Sequence, residues 1–173
     1  MIALVATVTS CMNGNKSEKA VEDETWACDT VVFDNLMEDS LLVFPTPNGD
    51  SLHIAEVVKA NRITLIDCWA SWCGPCRAEM PNMVELYNKY HDKGLEIVGI
   101  SFDTDAAEWK KAIEDLGMTW PQCSELNGWN NVMRNIYEVT AIPHTFLIDN
   151  EGSILAEDIH GYELERLIEN TLK

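Results

Sequence analysis

Basic residues are scarce in this chain of 173 residues, with 12 Lys and Arg against 29 Asp and Glu and a formal net charge of −17. So acidic a surface repels phosphate backbones, and nucleic acid is therefore not expected as a partner. Long apolar runs are missing too, since no segment approaches the roughly 18 apolar residues of a membrane-spanning helix. Any attachment to a membrane is expected to use an anchor instead.

What is present is a normal globular composition, 46% apolar and 24% charged, which excludes wholesale disorder and collagen-like or membrane-bundle architectures. The length suffices for one domain with an extension, but not for two well-cored domains. Acidic residues crowd residues 16–40 and 149–173, whereas 74–93 is balanced. Acidic runs are typical of solvated faces, so chemistry is expected in the neutral middle.

The first eleven residues, 1–11, are interpreted as the end of a secretory signal. They lack charge and end in Val8-Thr9-Ser10-Cys11, which resembles a bacterial lipobox whose cysteine is lipidated. A basic leader is missing, so a plain terminus with a chance cysteine is the alternative. Residues 12–30 are predicted to form an acidic tether and 31–173 a single domain. The sequence thus predicts a bacterial envelope protein, with Cys11 as the candidate site of a lipid anchor.

Hydrophobic periodicity predicts strands that alternate with helices. The predicted strands cover residues 41–44, 51–54, 63–69, 95–102, 145–148 and 153–156, and the predicted helices cover 74–91, 106–116, 129–137 and 163–172. The run 63–69 is almost continuously apolar, which is typical of a strand buried on both faces. This order of elements indicates an α/β sandwich around a mixed sheet.

Cys73-Gly74-Pro75-Cys76 directly follows that buried strand and opens the next helix. Unpaired N–H groups and the helix dipole at such a position stabilise an anion, so we expect a lowered pKa for the Cys73 thiol. The thiolate is the nucleophile in disulfide exchange, and Cys76 lies one helical turn away. Pro75 suits the first turn, where its missing N–H would have no partner anyway.

The stretch from Leu65 to Cys76, with Trp-Ala-Ser-Trp before the first cysteine, resembles the active site of the thioredoxin family. The following Glu79-Met80-Pro81 makes it most similar to the envelope-tethered TlpA/ResA-like branch of thiol-disulfide oxidoreductases. The resemblance covers 41–173. It implies a thioredoxin-like three-layer sandwich with an N-terminal β-hairpin, a redox-active Cys73–Cys76 disulfide, and neither a cofactor nor a metal.

A second motif, Ala141-Ile142-Pro143, precedes an apolar strand where thioredoxins carry a cis-proline that faces the cysteines. The resemblance implies that Ile142 and Pro143 bind the substrate backbone like an added strand. It also implies substrate contacts for three residues around the cysteines, Trp72, Gly74 and Pro75. A plain trans-proline that enters a strand is the alternative.

Two carboxylates are candidates for handling the proton of Cys76. Asp67 lies in the apolar strand and matches the buried aspartate of thioredoxins; burial would raise its pKa toward neutrality. Glu79 matches a glutamate of the TlpA/ResA-like branch, with a solvated helix-surface carboxylate as the alternative. The sequence leaves open which of the two serves as the base.

Other functions fit less well. A zinc site needs a second cysteine pair, and Cys28, Cys68 and Cys123 form none. Cys68 is predicted to be an inert core residue, and a Cys28–Cys123 disulfide stays open. A peroxiredoxin-like peroxidase would need a Thr or Ser where Ala70 stands. A disulfide oxidase or isomerase, or a non-enzymatic adaptor, are further alternatives.

The Gly-Pro dipeptide between the cysteines is that of thioredoxin, whose reduction potential is about −270 mV, so a reductant is predicted. The resemblance implies protein disulfide or thiol substrates, such as apocytochromes c and other envelope thiols. It also implies a membrane electron donor that reduces the pair again.

Overall fold

The structure is a computed structural model that describes residues 42–173. The signal-like segment 1–11, the tether 12–30 and Cys28 lie outside the described residues. The elements run in the order β1 (Val43–Pro45), β2 (Ser51–His53), α1 (Ile54–Ala60), β3 (Ile63–Trp69), α2 (Gly74–Tyr90), β4 (Leu95–Ser101), α3 (Ala106–Asp115), β5 (Gln122–Cys123), α4 (Val132–Tyr137), β6 (His144–Asp149), β7 (Ile154–Glu157) and α5 (Gly161–Thr171).

A five-stranded mixed sheet in the order β5-β4-β3-β6-β7 organises the domain. The strands β3, β4 and β5 are parallel, whereas β6 is antiparallel to β3 and β7 is antiparallel to β6. The first two strands form a separate antiparallel hairpin. This confirms the predicted fold class, a mixed sheet flanked by helices and preceded by an N-terminal hairpin.

The central strand β3 is buried along its whole length, as its apolar run predicts. Since successive side chains point to opposite faces, burial of all seven residues means that both faces of the sheet are covered. The chain therefore leaves the core at the end of β3 and enters α2 a few residues later. No described helix has both the length and the apolar character needed to cross a membrane.

The helix α2 begins directly after Cys73 and continues through Pro81. It buries one stripe of its surface, which includes Met80, Met83 and Leu86, and packs against β4 and α5. The helical spacing of these side chains predicts that stripe. Because α2 follows β3, its first turn lies at the end of the sheet where β3 ends, and the site is at that end.

Two short elements differ from the predictions. The helix α1 was not predicted, and its first residue, Ile54, was assigned to the preceding strand. The edge strand β5 contains only Gln122 and Cys123 and was not predicted. Both are too short for a periodic pattern to reveal them, and tertiary packing decides their conformation.

Candidate active site

Cys73 and Cys76 are joined by a disulfide, with an S–S distance of 2.02 Å and a Cα–Cα distance of 5.3 Å. Cys73 is the N-cap residue of α2, and its sulfur accepts a hydrogen bond from the backbone amide of Cys76 at 3.2 Å. Amides at a helix N-terminus stabilise negative charge on such a sulfur. The helix thus supplies the electrostatic environment that a nucleophilic thiolate needs.

The two sulfurs differ in exposure. Cys73 is 5% exposed and Cys76 is fully buried, whereas Trp72 beside them is 56% exposed. Gly74 and Pro75 are also exposed, and nothing lies within 4 Å of the position that a Gly74 side chain would take. A partner can therefore approach Cys73 across an exposed surface. Cys76 is covered by the protein and is not accessible to a partner.

The loop before Cys73 is fixed by a buried carboxylate. Asp103 accepts hydrogen bonds from the Ser71 amide at 2.9 Å, from the Ser71 hydroxyl at 2.6 Å and from the Ser101 hydroxyl at 2.7 Å. The amide of Cys73 donates to the carbonyl oxygen of Ala70 at 3.1 Å. The turn that presents Cys73 is therefore tied to the end of β4.

The loop before β6 faces the disulfide. The Ile142–Pro143 peptide bond, for which the resemblance implies the cis form, is cis. The Ile142 carbonyl oxygen lies 3.8 Å from the Cys73 sulfur. A backbone acceptor thus lies beside the sulfur that a substrate would meet first.

Asp67 is the buried acid of the site. It is 2% exposed, and its Oδ2 atom has no hydrogen-bond partner among the described residues. Burial, with a smaller contribution from the charge of Glu79, raises its pKa from the ordinary value of 3.8 to about 7, while the charge of His160 acts to lower it. The direction predicted from the sequence is confirmed, and such a group can exchange a proton near neutral pH.

Glu79 lies on α2, half-buried, with its Oε2 atom 3.1 Å from Nδ1 of His160. The other ring nitrogen of His160 lies 3.0 Å from Oδ1 of Asp158. Neither His160 nor Asp158 was singled out from the sequence. Glu79 and His160 are 81 positions apart, and no spacing rule connects residues at that distance.

The structure thus brings Cys73, Cys76, Trp72 and Ile142 to one end of the sheet. Asp67 and Glu79 lie close enough to each other for the Glu79 charge to act on Asp67. The remaining described cysteines, Cys68 and Cys123, are free and buried. Burial raises the pKa of both thiols, which fits the inert core role predicted for Cys68. Within 42–173, His, Cys, Asp and Glu side chains form no cluster of three or more able to hold a metal ion.

Comparison with known proteins gives consistent matches. The family model described as Thioredoxin-like matches residues 61–154. The thiol-disulfide oxidoreductase ResA of Oceanobacillus iheyensis is 36% identical over 90 residues, which cover 52% of this chain and 45% of that protein. The matched region therefore spans about half the length of this curated relative.

Solved structures match over more of the chain. A thiol-disulfide oxidoreductase from Bacteroides fragilis superposes with a TM-score of 0.69 and 29% identity, covering 74% of this chain and 94% of that one. A thiol:disulfide interchange protein from Bacteroides sp. superposes with a TM-score of 0.67 and 32% sequence identity, and the match covers 75% of this chain and 84% of that one. These matches confirm the resemblance seen in the sequence.

Proposed function

Since the chain belongs to the thioredoxin-like family, we propose that it is a thiol-disulfide oxidoreductase that reduces protein disulfides. Cys73 is the attacking cysteine and Cys76 the resolving cysteine. The observation that carries the proposal is the disulfide between an N-cap cysteine at a solvent-facing surface and a fully buried partner one turn later. This arrangement favours attack through Cys73 alone.

The reaction has two displacement steps. In the reduced protein the Cys73 thiolate attacks one sulfur of a client disulfide, so that a Cys73–client bond forms and the second client sulfur leaves as a thiolate. The Cys76 thiol then gives its proton to a base, its sulfur attacks the Cys73 sulfur, and the first client sulfur leaves as a thiolate. The client gains two electrons, and the protein ends with the Cys73–Cys76 disulfide.

Asp67 is the proposed base for Cys76. A fully buried thiol cannot lose its proton directly to bulk water, and a buried carboxylate with a pKa of about 7 accepts it at neutral pH. Glu79 fits this role less well, because its carboxylate is more exposed and is already hydrogen-bonded to His160. Glu79 therefore acts on Asp67 through its charge.

The client backbone binds beside Ile142 and Pro143. The exposed Trp72 and the open surface of Gly74 and Pro75 supply apolar contact around the attacked bond. An extended client segment placed beside the loop before β6 would pair with backbone groups there, as an added strand does. This mode of binding is independent of client sequence and suits a general protein reductant.

We place the protein in the bacterial cell envelope, with a lipid anchor at Cys11 and a membrane electron donor that reduces the pair. The lipobox-like Val8–Cys11 supports the anchor. The relatives named above are bacterial thiol-disulfide oxidoreductases. The proposed pathway, cytochrome c maturation or a related envelope thiol pathway, rests on the resemblance to the TlpA/ResA-like branch.

Reduction of insulin disulfides by the reduced protein tests the activity. Wild type should reduce insulin and Cys73→Ser should not. Cys76→Ser should stop after the first displacement and remain covalently bound to clients, which can then be identified from envelope extracts. If Cys73→Ser reduced insulin as fast as wild type, the assignment would be wrong. A potential above about −150 mV would instead indicate an oxidase or isomerase.

A further inference from the structure

The imidazole of His160 lies between two carboxylates that belong to different segments. Nδ1 lies 3.1 Å from Oε2 of Glu79 on α2, and Nε2 lies 3.0 Å from Oδ1 of Asp158. His160 is the N-cap residue of α5, yet its side chain makes no capping hydrogen bond. The ring is therefore committed to the two carboxylates rather than to its own helix.

The backbone just before His160 is hydrogen-bonded to β6, the strand that pairs with the one carrying Asp67. Thr145 on β6 is the register partner of Asp67 on β3, so both side chains lie on the same face of the sheet. The buried Thr145 hydroxyl donates to the Ile159 carbonyl oxygen at 2.7 Å and accepts from the Ile159 amide at 3.1 Å. The amide of Asp158 donates to the Thr145 carbonyl oxygen at 2.8 Å.

This clamp fixes where the ring can lie. Residues 158 and 159, directly before His160, cannot shift relative to β6 without breaking three hydrogen bonds to one buried residue, Thr145. The backbone of Asp158 is also restricted, because it adopts the left-handed conformation, with φ of +52°. These hydrogen bonds therefore hold His160 on the face of the sheet that carries Asp67 and Thr145.

Water reaches the outer side of this arrangement. A groove of about 370 Å³ between α2 and α5 is lined in part by Glu79 and His160. Of the charged and titratable groups on the elements packed in this region, only Glu79 and Asp158 are hydrogen-bonded to the ring. The others are Asp67 of β3, Glu85 and Lys89 of α2, His144 of β6, Glu157 of β7, and Tyr162 and Glu165 of α5. Lys89 and Glu165 pair with each other at 2.7 Å, so they largely cancel.

We propose that His160 is a positioning residue for the proton transfer at Cys76, acting through Glu79 and Asp67. The inference rests on the function proposed above and deepens it. His160 acts through other residues and not on the sulfurs. It holds the Glu79 carboxylate by a hydrogen bond, and its charge acts on Asp67.

The geometry gives the ring a direction of action. Ionised carboxylates only accept hydrogen bonds, so the ring donates to both Glu79 and Asp158 only when both of its nitrogens carry hydrogen. A cation at this place favours the ionised form of Asp67, whereas the charge of Glu79 favours the protonated form. His160 and Glu79 therefore pull the proton affinity of Asp67 in opposite directions.

The test follows the Asp67 side-chain carboxyl by ¹³C NMR across a pH titration, in wild type, His160→Gln and Glu79→Gln. In His160→Gln the Asp67 midpoint should move to higher pH, by about half a unit or more. In Glu79→Gln it should move to lower pH. The pH dependence of client release, measured as decay of the mixed disulfide formed with a peptide, should shift in the same two directions.

His91→Gln is the matched control, since it removes another histidine near a carboxylate, Glu96, at the far end of α2. This variant should leave the Asp67 midpoint in place. A midpoint unchanged in His160→Gln, or moved the same way in both test variants, would overturn the inference. Melting curves at each pH separate these outcomes from loss of folding. Because the NMR readout needs no client, failure of wild type to reduce disulfides would count against the proposed function alone.

Discussion

Asp103 accepts hydrogen bonds from both the amide and the hydroxyl of Ser71, at 2.9 and 2.6 Å, two residues before the attacking cysteine. The same carboxylate, itself 1% exposed, also accepts from the hydroxyl of buried Ser101. A buried charge satisfied in this way holds a loop in one conformation. The presentation of Cys73 therefore depends on a residue of the neighbouring strand end.

Asp103→Ala should destabilise the protein by about 3 kcal/mol, because it leaves the donors of half-buried Ser71 and buried Ser101 without an acceptor. Urea unfolding measures this. Asp105→Ala is the matched control, since Asp105 caps α3 at an exposed position and its loss should cost only about 1 kcal/mol. Equal losses in the two variants would contradict the anchoring role.

Replacement of Asp67 should change how stability depends on pH. The Asp67 pKa of about 7 lies above the unfolded value, so the folded state holds this proton more tightly than the unfolded chain. The free energy of unfolding of the wild type is therefore not reduced by Asp67 below about pH 4. It falls as the pH rises from there through about 7, by up to roughly 4 kcal/mol.

Asp67→Asn lacks this titration. Its stability relative to wild type should thus rise between about pH 4 and pH 8, as measured by urea unfolding of both oxidised proteins. The exposed Asp92→Asn should show no such trend. A difference between Asp67→Asn and wild type that stays constant with pH would mean that Asp67 does not titrate in this range.

Loss of the Asp67 carboxylate should slow the second displacement and spare the first. General bases contribute on the order of a hundredfold or more, so release of a peptide client from Cys73 should slow by about that factor in Asp67→Asn. Rapid-quench trapping of the mixed disulfide separates the two steps. Slowing of the first step alone would assign the carboxylate to Cys73 instead.

Gly99→Ala should destabilise the sheet by about 2 kcal/mol. A Cβ atom at Gly99 would lie 2.6 Å from Cδ of Gln122, and the Gln122 side-chain oxygen accepts from the Trp69 indole at 3.0 Å. Thermal unfolding measures the loss, and adding Gln122→Ala should relieve the clash. Gly74→Ala has open space and serves as the stability control. A cost no larger than that of Gly74→Ala would show that Gln122 moves freely.

The strand β3 and the start of α2 could be predicted because local signals agree there. A continuous apolar run, two cysteines three residues apart and a helical stripe all point to one arrangement. The strands β6 and β7 were predicted at 145–148 and 153–156, where two largely apolar stretches flank the turn at residues 149–152.

The pairing of His160 with Glu79 could not be predicted. It depends on the crossing of α2 and α5 and on the Thr145 clamp, and neither has a signature in the local sequence. The assignment of the base was open for a related reason, since the exposure of Asp67 and Glu79 is decided by packing rather than by residue type.

The brevity of β5 has a consequence for behaviour at high concentration. This edge strand has only two residues, and both are buried. Few backbone groups are therefore free there to pair with a strand of another molecule. The opposite border, β7, ends at Glu157, whose charge discourages a second molecule from aligning alongside. Strand addition at these two borders of the sheet is thus disfavoured, and an extended client is expected to pair at the loop before β6 instead.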